Sequence, residues 1–191
     1  MTAIYLILVL LGLAGGGFWL YRSKTQRALP APERAKQLAA RVSALGLQIG
    51  DIVVHYDKEY IVEGKLIYDE EGWTWLEFML VDGDDVVWLS AEEDDQLELA
   101  MSREIDDLML EAPPGANLTY NGVSYRQREK GRARVTREGQ TGKKSEAVCT
   151  YFEYVAGGDK PSLSIEQWGQ SFDAYLQTAI RESELDILPA S

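Results

Sequence analysis

Two glutamates stand out by the company they keep. Glu77 lies in the run Trp73-Thr-Trp-Leu-Glu-Phe-Met-Leu80, and Glu153 in Tyr151-Phe-Glu-Tyr-Val155. Read as strands, the first run puts Trp73, Trp75, Glu77 and Met79 on one face, with Leu76, Phe78 and Leu80 on the other. The second puts Tyr151, Glu153 and Val155 against Phe152 and Tyr154. A carboxylate held among apolar neighbours loses hydration, which raises its pKa, and ring faces beside it favour a cation. Glu77, Glu153, Trp75 and Tyr151 therefore form the candidate ligand-binding set, suited to a small cationic ligand such as a polyamine or a divalent cation. The competing expectation is that each glutamate reaches water or pairs with an arginine on a neighbouring strand.

Other chemistry is poorly provided for. One cysteine (Cys149) and one histidine (His55) leave no disulfide, no thiolate metal cage and no site needing two imidazoles. Cys149 lies between strand-forming residues and reads as a buried, inert thiol, with His55 at the surface. Gly142-Lys143-Lys144-Ser145 resembles the tail of a phosphate loop, but Arg137 stands where the leading glycine is needed. It reads as a hairpin tip. Asp82-Gly-Asp-Asp85 fits a solvated turn and Glu92-Glu-Asp-Asp95 an acidic helix start, rather than metal sites. No nucleophile elbow, His-Glu-x-x-His or dinucleotide loop is present. The expectation is a protein without catalytic activity, cofactor or metal.

Charge narrows the partners. The 191 residues carry 31 acidic and 19 basic side chains, a formal net charge of −12, which argues against nucleic acid. Residues 42–112 hold three cations against twenty anions. That acidic surface suits recruitment of a protein partner. The cations Arg126, Arg128, Lys130, Arg132 and Arg134 recur at every second position, a spacing that puts five positive charges on one strand face unless a bulge at Gly131 redirects some. Such a hairpin could meet anionic lipid, or simply be an edge kept soluble by charge.

Residues 3–21 form nineteen positions without a charge, long enough for a transmembrane helix. Arg22, Lys24 and Arg27 follow directly and form a membrane-proximal basic set. By the positive-inside rule the expected placement is a single-pass protein of the cell membrane, N-terminus outside and C-terminal domain cytoplasmic. Residues 3–21 would contact the bilayer. Gly12 and Gly16 could pair two such spans into a homodimer, or be ordinary glycines of a glycine-rich helix. The expected divisions are an anchor over 1–21, a basic linker with a short helix over 22–46, and β repeats over 47–112 and 113–191.

The repeats rest on matched order. Gly50 to Tyr60 returns as Gly115 to Tyr125, Trp75-Leu-Glu-Phe78 as Tyr151-Phe-Glu-Tyr154, and Leu89-Ser-Ala-Glu-Glu93 as Leu163-Ser-Ile-Glu-Gln167. Ser90 to Glu93 and Ser164 to Gln167 read as capping boxes opening helical turns. Asp57-Lys58, Glu71-Gly72, Asp82-Gly83 and Asn121-Gly122 punctuate the runs as hairpin turns. The expected fold is mainly β: two similar strand-rich halves in one pseudo-symmetric antiparallel domain, preceded by the transmembrane helix and linker helix.

Gly50-Asp51 through Tyr60, Trp75-Leu-Glu-Phe78 and Trp88-Leu-Ser90 resemble a bacterial domain of unknown function, family 4178, over roughly residues 47–189. The second half departs from that pattern, with Ala116 after Gly115 and Ser162 where Trp88 would fall. The resemblance implies a β-rich domain without established activity. The function expected is thus a membrane-anchored cytoplasmic binding or scaffold module recruiting a protein partner. The alternative is a sensor of a small cationic ligand through the glutamate and aromatic set. An unrecognised enzyme is the third.

Overall fold

The computed structural model describes residues 43–143 and 145–190. They form eleven strands: β1 (Ile52–His55), β2 (Lys58–Glu70), β3 (Trp73–Asp82), β4 (Asp85–Glu93), β5 (Leu97–Glu104), β6 (Asn117–Tyr120), β7 (Val123–Gly139), β8 (Val148–Val155), β9 (Ser162–Trp168), β10 (Ser171–Ile180) and β11 (Leu185–Leu188). Strands β1–β5 and β6–β10 are each an antiparallel meander. Pairing of β5 with β10 joins the meanders on one side, and pairing of β2 with β7 joins them on the other. The ring β2-β3-β4-β5-β10-β9-β8-β7 closes as an eight-stranded antiparallel barrel, with β1, β11 and β6 as extensions. Glu71-Gly72 and Asn121-Gly122, all at positive φ, make the tight turns that such hairpins favour.

Two bulges make closure work. Between Val62 and Gly64 the register of β2 shifts, and between Gln127 and Glu129 that of β7 does. Before its bulge β2 pairs with β1; beyond it, the same edge takes β7. Each bulge also turns the strand over, so that Val62 lies opposite Leu80 while Leu66 lies opposite Glu77. At the seam Gly64 faces Gly139. A Cβ on Gly64 would stand 2.3 Å from the Gln140 carbonyl oxygen, and one on Gly139 2.3 Å from that of Glu63. Only glycine allows that approach.

Alternation then sorts the side chains into three cores. On the outer face of the first meander, Phe78, Leu80, Val87, Leu89, Ala91 and Leu99 are buried with Val53, Ala44 and Leu47. On the outer face of the second, Phe152, Tyr154, Leu163, Ile165 and Ala174 are buried with Tyr125, and Leu108 and Leu110 pack against them. Inside the barrel lie Leu66, Tyr68, Trp88, Ala133, Val135, Cys149, Tyr151, Trp168 and Tyr175.

Several expectations are corrected. The sheet is one closed barrel with added strands, not two halves behind an anchor and a linker helix. Among the described residues no helix is long and apolar enough to cross a membrane; the helical turns there are Ala44–Gly46 and Glu182–Glu184. The transmembrane helix over 3–21, the basic set Arg22, Lys24 and Arg27, the Gly12/Gly16 contact and nearly all of the linker helix fall outside the described residues. The single-pass cell-membrane placement therefore has no helix in the structure to carry it. Ser90–Glu93 and Ser164–Gln167 open no helical turns: they belong to β4 and β9, where ladder pairing on both sides satisfies the amides that a cap would serve. The basic stripe is split. Because β7 bulges near Arg128 rather than at Gly131, Arg126 shares the face of Val155, while Lys130, Arg132 and Arg134 take the opposite one with Phe152 and Thr150. All stay exposed.

Candidate functional site in the barrel interior

The four sequence-derived residues come together inside the barrel. Strand β3 presents Trp75, Glu77 and Met79 inward, and β8 presents Cys149, Tyr151 and Glu153. The rings of Trp75 and Tyr151 meet edge to face at 5.4 Å, although β3 and β8 are not neighbours. That contact crosses the lumen. Tyr68 of β2 stacks on Trp75 at 4.8 Å and also reaches across, donating its hydroxyl to Glu166 of β9. The same hydroxyl lies 3.2 Å from Glu77 Oε2. Glu153 accepts from Ser164 Oγ at 2.6 Å. Gly131, opposite Tyr151 in the ladder, leaves room for the Tyr151 hydroxyl, which donates to Glu70 at 2.6 Å.

Neither Glu77 nor Glu153 forms an ion pair among the described residues. Burial, followed by repulsion from the Glu166 charge, raises Glu77 to about 8. The charge of Glu153 adds to that rise. Glu153 is itself raised to about 7, burial outweighing the Ser164 hydrogen bond and the positive field of Arg128. As whole residues Glu77, Glu153 and Trp75 are half-buried, and desolvation leads the shift of both carboxylates.

Sequence reasoning missed the other half of the site. Glu166 is 4% exposed and takes hydrogen bonds from Tyr68, from Lys143 and from Trp168 Nε1 at 3.3 Å. Lys143 is not a solvated hairpin tip: it is buried against Glu166 and Asp173. Its own burial disfavours the charge, but Glu166, Tyr175 and Glu77 outweigh that and hold it well above the ordinary lysine value. The Arg137 guanidinium lies over the Trp168 ring at 4.9 Å, with Nε and Nη2 buried and without a hydrogen-bond partner among the described residues. Cys149 is fully buried and its thiol is pushed up, first by burial. His55 is half-buried rather than a surface residue, its Nε2 without a hydrogen-bond partner among the described residues and its ring 4.4 Å from that of Tyr56. Alternation in β9, with Leu163 and Ile165 opposed to Ser164, Glu166 and Trp168, carried the missing signal. Reading Ser164–Gln167 as a cap concealed it. Among the described residues no group of three or more His, Cys, Asp or Glu is placed to hold a metal ion.

The family model described as "Domain of unknown function (DUF4178)" matches residues 48–182. The match is one span across both meanders and does not carry the expectation of two repeats. An uncharacterized protein of Mycobacterium bovis is 34% identical over 148 residues, covering 74% of this chain and 71% of that protein. Uncharacterized proteins of two Mycobacterium tuberculosis strains match to the same extent. No solved structure matches.

Proposed function

This chain belongs to the DUF4178 family, and from that premise we propose that it is a binding module whose barrel interior receives a small organic cation. The observation that carries the reading is the pair Glu77 and Glu153: two interior carboxylates without an ion pair among the described residues, on half-buried residues flanked by Trp75, Tyr151 and Tyr68. A cation arriving beside them would offset the burial, and the Glu166 charge, that now favour protonation, and the ring faces would add cation–π attraction. The absence of a three-ligand acidic cluster among the described residues turns the reading from a divalent ion to an organic ammonium. Binding rather than turnover is the proposed role, since Cys149 is held as a neutral thiol and the carboxylates lie among ring faces.

A second reading, recruitment of a protein partner, is favoured by the exposed acidic turn Glu93-Asp94-Asp95 between β4 and β5. It uses a different surface and is separable by experiment. Thermal unfolding with spermidine as the probe tests the first reading. At about a hundredfold excess over Kd a ligand that binds only the folded state adds about 2.7 kcal/mol. The stabilisation should vanish in the Glu77→Gln, Glu153→Gln double variant. Equal stabilisation of the variant and the parent, or none of the parent, sinks the proposal.

A further inference from the structure

The same interior already holds a cation of its own. Lys143 Nζ donates to Glu166 Oε2, to the Tyr175 hydroxyl, and to Asp173 Oδ2 at 3.3 Å. The nitrogen stands 4.3 Å from the Tyr175 ring centroid, 5.2 Å from Trp88 and 5.8 Å from Trp168. Its side chain is 6% exposed. An alkylammonium has three N–H donors and no acceptor; here each donor meets one oxygen, and three ring faces surround the charge.

Walls and occupant differ in origin. Trp88 comes from β4, Glu166 and Trp168 from β9, Asp173 and Tyr175 from β10, and all five are paired in the sheet. Lys143 comes from the connection between β7 and β8, outside any ladder, with Gly142, Ser145 and Glu146 exposed around it. A buried ion pair is a weak source of stability against an apolar replacement, so stability alone does not account for a cage of this completeness.

We infer that the cage of Trp88, Trp168, Tyr175, Glu166 and Asp173 is a primary-ammonium subsite, filled in this structure by the chain's own Lys143, which an alkylammonium ligand displaces. The inference rests on the reading of the interior as a chamber for an organic cation, and deepens it by naming the ammonium type and its internal competitor. A quaternary ammonium offers no N–H to the three oxygens. A guanidinium presents a planar fork rather than a tripod.

The test uses the full chain, with n-butylammonium as probe and tetramethylammonium as control. The Lys143 ammonium should give a slowly exchanging 1H–15N correlation, assigned through the Tyr175 ring, and saturating n-butylammonium should abolish it. Calorimetry should show Lys143→Met binding n-butylammonium at least about tenfold more tightly than the parent, because the competing occupant is gone. Tetramethylammonium should gain nothing. A Lys143 signal that persists while n-butylammonium binds, with binding lost in the Glu77→Gln, Glu153→Gln variant, overturns the subsite and leaves the chamber reading intact. No binding by the parent or by Lys143→Met overturns both. Should Lys143→Met fail to fold, the resonance of the parent chain decides alone.

Discussion

The two faces of β3 differ by one residue step and by purpose. Leu76, Phe78 and Leu80 turn outward into an apolar core, where Phe78 and Leu80 are fully buried. Trp75, Glu77 and Met79 turn inward to a lumen that also contains Glu153, Glu166, Lys143 and Arg137. β8 repeats the contrast, with Phe152 and Tyr154 outward and Tyr151 and Glu153 inward. Burying large apolar side chains stabilises by about 1.5–3 kcal/mol each, whereas burying charge costs free energy even when it is paired. The two flanking cores are apolar throughout. The interior core, with Leu66, Trp88, Val135 and Trp168, is interrupted by charged groups that oppose folding, which is where functional demands override local rules.

The widest test of that contrast compares neighbours in one strand. Phe78→Ala and Phe152→Ala should each cost about 3–5 kcal/mol in denaturant unfolding, through lost transfer free energy and the cavity left behind. Glu77→Gln, one position from Phe78, should cost nothing at pH 8, because it removes a carboxylate that the folded interior disfavours. A loss comparable with that of Phe78→Ala would make Glu77 a stabilising residue and end the distinction.

A second effect follows from pH. Glu77 is raised to about 8 and Glu153 to about 7, each from an ordinary 4.5. Between those limits the folded state binds more protons than the unfolded chain, so stability falls as pH rises. The contribution is fully present below pH 4.5 and lost by pH 8. Urea midpoints measured from pH 5 to 8 should show the decline in the parent and in Phe78→Ala. The Glu77→Gln, Glu153→Gln variant should be nearly flat. A slope that survives in the double variant assigns the titration elsewhere.

Alternation made much of this legible. The inward set Trp75, Glu77, Tyr151 and Glu153 follows from period two in two short runs, and positive-φ turns such as Asn121-Gly122 follow from residue type. Closure was not legible, because it depends on two bulges and on the approach of Gly64 to Gly139, contacts between residues 75 apart in the chain. Neither was Lys143. A lysine beside glycine in a polar connection looks solvated, and only the carboxylates of β9 and β10 closing around it make burial affordable. The basic stripe failed for a related reason: a one-residue bulge at Arg128 inverts every later side chain of β7.

The finest distinction lies in one hydroxyl. Tyr68 donates to Glu166 and approaches Glu77 at 3.2 Å, while its ring stacks on Trp75 with planes 9° apart. Tyr68→Phe keeps the stack and removes the oxygen, so the outer cores are untouched and the cost should be about 1 kcal/mol. Its sharper consequence is electrostatic. The hydrogen bond favours ionised Glu77, and its loss should move the Glu77 midpoint upward from about 8 in a 13C carboxyl titration. A midpoint that stays in place would assign the hydroxyl wholly to Glu166. Glu77 would then be governed by burial and charge alone, and Tyr68 would belong with the Lys143 cage rather than with the paired glutamates.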